Sequence, residues 1–166
     1  MHKKIVVTGG DGFMGSNLVD YLIEQGDDVT VIDNLSGGLQ RNVHPRAKFC
    51  HVDILDDVSR IVEGKDVIYH LAAYAAEGLS PYIPSYNYTN NVGGSVNLIK
   101  AAVNHGVSCF VFTSSMAVYG VGNPPFKEED RPEPDDPYGI SKFAVEMHLH
   151  DAHKRLGLDF IIFWPH

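Results

Sequence analysis

The stretch Thr8-Gly9-Gly10-Asp11-Gly12-Phe13-Met14-Gly15 decides the fold. It joins a β-branched apolar run at 4–8 to a helical pattern over 12–25 that stops at Gly26. Gly9, Gly12 and Gly15 have the spacing G-x-x-G-x-x-G. One glycine permits the tight turn, one lets a pyrophosphate approach the backbone, and one lets the helix pack on the strand. The helix N-terminus adds unpaired N–H groups and partial positive charge. A glycine pattern alone also fits any Gly-rich strand-to-helix turn. Here the strand before, the helix after and an acid at the end of the next strand supply a nucleotide-binding context.

That acid is Asp33, 18 residues after Gly15, where roughly 20 are expected. Its carboxylate would accept from the ribose hydroxyls of an adenosine and repel a 2′-phosphate. NAD is therefore favoured over NADP, with Arg41 nearby as the feature that keeps NADP open. Asp33-Asn34 also reads as a simple loop start.

Working outward, strands are predicted at 29–33, 48–52, 66–71, 108–114 and 159–164. Helical patterns are predicted at 56–62, 85–104 and 138–156. The strands are almost continuously apolar, as buried parallel strands are. Their alternation with helices predicts an α/β, Rossmann-type, doubly wound parallel sheet with helices on both faces. On the long helix, Val92, Val96, Ile99 and Val103 form one apolar stripe, with Leu98 and Ala102 beside it. The proline-rich stretch 122–137 carries Glu128, Glu129, Asp130 and Glu133 and reads as a surface loop. The chain ends at Pro165-His166, directly after an apparent core strand. This suggests an NAD-binding domain over 1–166 whose C-terminal substrate domain is absent.

The chain has 166 residues and a formal net charge of −8. That balance disfavours nucleic acid and a basic membrane patch. An anionic ligand held by backbone N–H groups remains compatible with it. Cys50 and Cys109 are far apart and read as thiols in a reducing compartment. No apolar run approaches the length of a membrane span. A cytoplasmic protein is expected.

Tyr138 and Lys142 form Y-x-x-x-K behind Asp135-Asp136-Pro137, which reads as a helix start. Four residues apart, they share one helix face. A free phenol, with pKa about 10, is a poor base at neutral pH, and a neighbouring ammonium is expected to lower that value. Ser114-Ser115 closes the fifth strand, at the edge where open parallel sheets bind ligands. Either pattern alone also describes a solvated helix pair or a polar strand end.

Five segments occur in order: residues 8–15 (TGGDGFMG), 70–73 (HLAA), 90–98 (NNVGGSVNL), 113–120 (TSSMAVYG) and 138–142 (YGISK). Together they resemble the extended short-chain dehydrogenase/reductase family, in its nucleotide-sugar epimerase branch. The resemblance spans the whole chain. It implies Ser115 as catalytic serine, Tyr138 as acid/base and Lys142 as its partner, with Lys142 also on the nicotinamide ribose. It implies a cofactor site of Gly9, Gly12, Phe13, Met14, Gly15, Asp33, Asn34, Asp53, Ile54, Leu71, Ala72, Ala73 and Asn91, besides Tyr138 and Lys142. It implies NAD as cofactor, a nucleotide-sugar substrate and a homodimer through the long helix and the Tyr138 helix.

Related dehydratases keep an acid just after the catalytic hydroxyl residue, where this chain has Met116-Ala117. A redox-neutral 4-epimerisation of a UDP-hexose, of the UDP-glucose/UDP-galactose type, is therefore the expected reaction. A reductase or dehydrogenase of the same fold, or a non-catalytic NAD-binding domain, are the alternatives. Trp164 stands where such proteins usually have arginine, and a fragment of this length is expected to turn over sugar poorly alone. His148, His150 and His153 lack a completing acid or cysteine, so no metal site is expected. His70, at a strand end, is expected to be structural.

Overall fold

A computed structural model describes residues 2–122 and 124–165. Met1, Asn123 in the proline-rich loop and the terminal His166 lie outside the described residues. The elements run β1 (Lys4–Thr8), α1 (Phe13–Glu24), β2 (Asp28–Asp33), β3 (Lys48–His51), α2 (Ser59–Val62), β4 (Val67–His70), α3 (Pro84–Tyr88), α4 (Gly94–Asn104), β5 (Cys109–Thr113), α5 (Pro137–Leu156) and β6 (Phe160–Phe163). Strand ends fall within a residue or so of the sequence expectation.

All neighbouring strands pair in parallel, in the order β3-β2-β1-β4-β5-β6. The order reverses beside β1, which pairs with β2 on one side and β4 on the other. Such a reversal leaves a crevice at the carboxyl edge of the sheet. Thr8, Asp33, His70 and Thr113 all end their strands on that edge.

Alternate residues of the strands face opposite layers, which is why both are apolar. Val6, Ile32, Ile68, Phe110 and Phe112 face α4 and α5. Ile5, Val7, Val29, Val31 and Val111 face Val19, Leu22 and Ile23 of α1. Helices thus cover both faces. On the α1 side the cover does not extend to β6, where Ile161 and Phe163 are exposed.

Two expectations are corrected. The predicted helix over 85–104 is not one α-helix, because Thr89–Gly93 forms a wider π-type turn between α3 and α4. Asn91 in that turn holds the backbone of Tyr74, in line with the tendency of π-type turns to occur at functional sites. Of the expected stripe, Ile99 is buried, together with Leu98 and Ala102 beside it, while Val92, Val96 and Val103 are half-buried, Val103 packed against the core.

Candidate cofactor and acid/base site

The glycine turn is tight for stated reasons. Gly9 sits at φ +71°, and a Cβ there would come within 2.7 Å of the Ala72 nitrogen. Gly15 lies against the Gly9 carbonyl oxygen, and a Cβ would overlap it. Gly12 caps α1 without any side-chain hydrogen bond. The first N–H groups of the helix are therefore left for a ligand. Beneath the turn, Gly9 N donates to Ile32 O at 3.0 Å and Leu71 N to Thr8 O at 3.2 Å.

A cavity of about 440 Å³ opens over this turn. Gly9, Gly12, Asp33, Asn34, Asp53, Ile54, Leu71, Ala72 and Ala73 all line it. Asp33 is buried, its Oδ1 accepting from Leu35 N at 2.9 Å. Asn34 Nδ2 donates to Asp53 Oδ2 at 2.8 Å, which joins the ends of the β2 and β3 loops across the rim. Arg41 is exposed and in no ion pair among the described residues.

Other expected cofactor residues lie elsewhere. Phe13 and Met14 are exposed at the start of α1, and Gly15 is packed beneath Gly9. Asn91 does not line the cavity. It is buried behind the wall, where Oδ1 accepts from Tyr74 N at 2.7 Å and Nδ2 donates to Tyr74 O at 3.1 Å and Ser141 Oγ at 3.3 Å. Its part is to hold Tyr74, which does line the cavity, against α5.

His70 is fully enclosed. Its Nδ1 meets Thr8 Oγ1 at 2.7 Å and its Nε2 meets Ser95 Oγ at 2.8 Å. Burial, and then the Lys142 charge, push its pKa down to about 3. A neutral imidazole therefore ties β1, β4 and α4 together. His150 and His153 pack edge-on against Phe160. Among the described residues, no cluster of three or more His, Cys, Asp or Glu gathers as a metal site would need.

The acid/base set forms a second cluster at the end of β5. Asp136 caps α5, its Oδ1 accepting from Tyr138 N at 2.6 Å and Gly139 N at 3.0 Å, with Pro137 as the first helical residue. This cap fixes the start of α5; Tyr138, Lys142 and Ser115 do not line the cavity over the glycine turn. Burial raises the Tyr138 pKa; the nearby Ser115 hydroxyl opposes that rise, and Glu77 and Asp136 add to it. The expected lowering by Lys142 is thus corrected. The Lys142 ammonium lies 5.7 Å from the Tyr138 ring centroid and donates to Thr113 O at 2.9 Å. At that distance its charge does not offset the loss of water around the phenol.

Lys142 is itself buried, which lowers its pKa to about 8, with Glu146 pulling the other way. Sequence reading missed Glu146. Its carboxylate is buried and accepts from the Ser114 hydroxyl and from Trp164 Nε1, the latter at 2.8 Å. The Lys142/Glu146 spacing of four on one helix was the available signal. Ser114 is spent on Glu146, while Ser115 accepts from Ala117 N at 3.1 Å and lies near the Tyr138 phenol.

The family described as NAD dependent epimerase/dehydratase matches residues 5–166. The chain belongs to that family. A UDP-glucose 4-epimerase from Lacticaseibacillus casei is 40% identical over 162 residues, covering 95% of this chain and 49% of the relative. A UDP-N-acetylglucosamine 4-epimerase from Methanobrevibacter ruminantium, solved with UDP-N-acetylmuramic acid, superposes with a TM-score of 0.93 at 38% identity. It covers 98% of this chain and 54% of that one. A Thermus thermophilus UDP-glucose 4-epimerase solved with NAD superposes with a TM-score of 0.92 at 33% identity, covering 97% of this chain and 54% of that one. The chain spans about half the length of the relatives it matches. No helix among the described residues is long and apolar enough to cross a membrane.

Proposed function

We propose that residues 1–166 form an NAD-binding domain carrying the acid/base half of a nucleotide-sugar 4-epimerase site. The substrate proposed is a UDP-hexose of the UDP-glucose/UDP-galactose type. One observation carries the reading: Lys142, one helical turn after Tyr138 on α5, lies 5.7 Å from the Tyr138 ring and donates to Thr113 O at 2.9 Å, at the carboxyl end of β5 where Ser115 follows.

The residues fit NAD. The Cβ-free turn at Gly9 and Gly15 and the uncapped α1 N-terminus suit a pyrophosphate. Asp33 suits the adenosine ribose, and the apolar strip Leu71-Ala72-Ala73 suits a flat ring. Bound NAD would supply a hydride acceptor and donor for C4 of the sugar.

Tyr138 takes the C4 hydroxyl proton and later returns it. Ser115 holds the same oxygen by hydrogen bond while the 4-keto sugar turns over. Lys142, cationic below about pH 8, stabilises the phenolate once formed and would hold the nicotinamide ribose. No carbon is oxidised in net, so no second substrate is consumed. Met116-Ala117 offers no carboxyl beside Ser115 to protonate a leaving hydroxyl, which favours epimerisation over dehydration.

A homodimer through α4 and α5 is part of the proposal, since Ile140 and Met147 are exposed on α5. Cys50 and Cys109 are free thiols, which suits the cytoplasm. The test uses these 166 residues followed by the second half of a 4-epimerase relative, supplied with UDP-[4-²H]galactose. UDP-glucose that keeps deuterium at C4, without net NADH, supports the reading. Net NADH would instead indicate a dehydrogenase, and loss of deuterium to solvent would exclude a hydride that returns to C4. The 166-residue chain alone is expected to bind NAD and convert sugar poorly.

A further inference from the structure

The cofactor cavity contains an acid that has no part in the chemistry above. Asp11, inside the glycine turn, is only 2% exposed, and it lines the cavity beside Asp33. Its N–H donates to Asp33 Oδ2 at 3.4 Å, and both acids line the same cavity, Asp33 also buried. Asp11 Oδ2 has no hydrogen-bond partner among the described residues.

The loop 36–42 closes over this acid. Gly38 packs so tightly that a Cβ would overlap the Asp11 carboxyl. Asn42 Nδ2 donates to Asp11 O at 2.9 Å, and Leu39 N approaches the same oxygen at 3.5 Å. No cation offsets the pair among the described residues. Arg41 of this loop is exposed and unpaired, and Asp53, the next acid on the rim, is bound to Asn34. Two adjacent buried carboxylates ionise together only at a large cost. A proton between them gives the orphaned oxygen its missing partner.

We propose that Asp11 and Asp33 act as one acid pair sharing a single proton. The pair, rather than Asp33 alone, sets the charge presented to the adenosine ribose before binding, and so the pH dependence of NAD binding. This rests on the NAD reading. Burial first, and then Asp33, push the Asp11 carboxyl up to about 7. The pair therefore carries one negative charge in mildly acidic solution and two in mildly alkaline solution. A dinucleotide covering the pair favours the protonated form, because it removes water and brings its own pyrophosphate charge. NAD binding above neutrality then takes up a proton, and the affinity falls as pH rises, by at most about tenfold per unit. Asp11→Asn fixes the charge at one and keeps an N–H donor facing Asp33.

Calorimetric titration of NAD at about pH 8, in two buffers of different ionisation enthalpy, tests this on the wild type and Asp11→Asn. The wild type is expected to take up close to one more proton per NAD than the variant. Any contribution from Lys142 is common to both proteins and cancels. Equal proton uptake by the two proteins overturns the proposal. Carboxyl ¹³C titration of the ligand-free wild type decides it even where the variant does not fold or NAD does not bind. One aspartate titrating near neutrality supports the pair; all aspartates titrating below about pH 5 overturn it. Absence of NAD binding with a neutral-pH aspartate present would fail the cofactor reading and leave the pair standing.

Discussion

Asn91 holds Tyr74 at both ends of its peptide, taking the Tyr74 N–H on Oδ1 at 2.7 Å and giving Nδ2 to the Tyr74 carbonyl at 3.1 Å. The same amide reaches Ser141 on α5 at 3.3 Å. One side chain thus couples the cavity wall to the helix that carries Tyr138 and Lys142. Asn91→Ala strands a backbone donor and acceptor beside a buried hydroxyl. It is expected to cost about 2–3 kcal/mol of stability, read by urea unfolding. NAD affinity should fall with it. A variant as stable as the wild type would show that the contact is incidental.

Tyr138→Phe removes the proton that the proposed chemistry moves but keeps the ring. In the extended protein used for the deuterium test, turnover should drop about 10²- to 10⁴-fold, with NAD affinity nearly unchanged. Ser115→Ala should lower kcat and leave Tyr138 less acidic, because the hydroxyl that stabilises the phenolate is gone. Spectrophotometric titration of tyrosinate absorbance measures the second effect.

Glu146→Gln separates charge from packing. Glu146 raises the Lys142 pKa against the burial that lowers it to about 8. With that charge removed, the ammonium is lost at lower pH. The alkaline limb of the turnover profile should therefore move toward neutrality in Glu146→Gln. A limb that stays in place would separate Lys142 ionisation from turnover.

Much of the fold was legible because short-range rules govern it. The β-branched runs, Gly26 and the Asp136-Pro137 start each carry local conformational information, and the parallel sheet follows from their alternation. The π-type turn was not legible from local periodicity; it contains Asn91, whose contact is with a residue 17 positions away. Spacing placed Tyr138 and Lys142 on one face, but the direction of the Tyr138 pKa depends on water excluded by distant segments. Asp11 carries no local signal of burial in the sequence, and only the fold of loop 36–42 over it reveals a buried acid.

The central claim is that NAD lies over the glycine turn with its adenosine ribose on Asp33, and direct titration of NAD and NADP into the 166-residue chain tests it. The expected result is saturable NAD binding, weaker NADP binding, and a loss of about tenfold or more in NAD affinity in Asp33→Ala, about 1.4 kcal/mol, with the fold intact by circular dichroism. No NAD binding, a preference for NADP, or an Asp33→Ala variant that binds NAD as tightly as the wild type would contradict it.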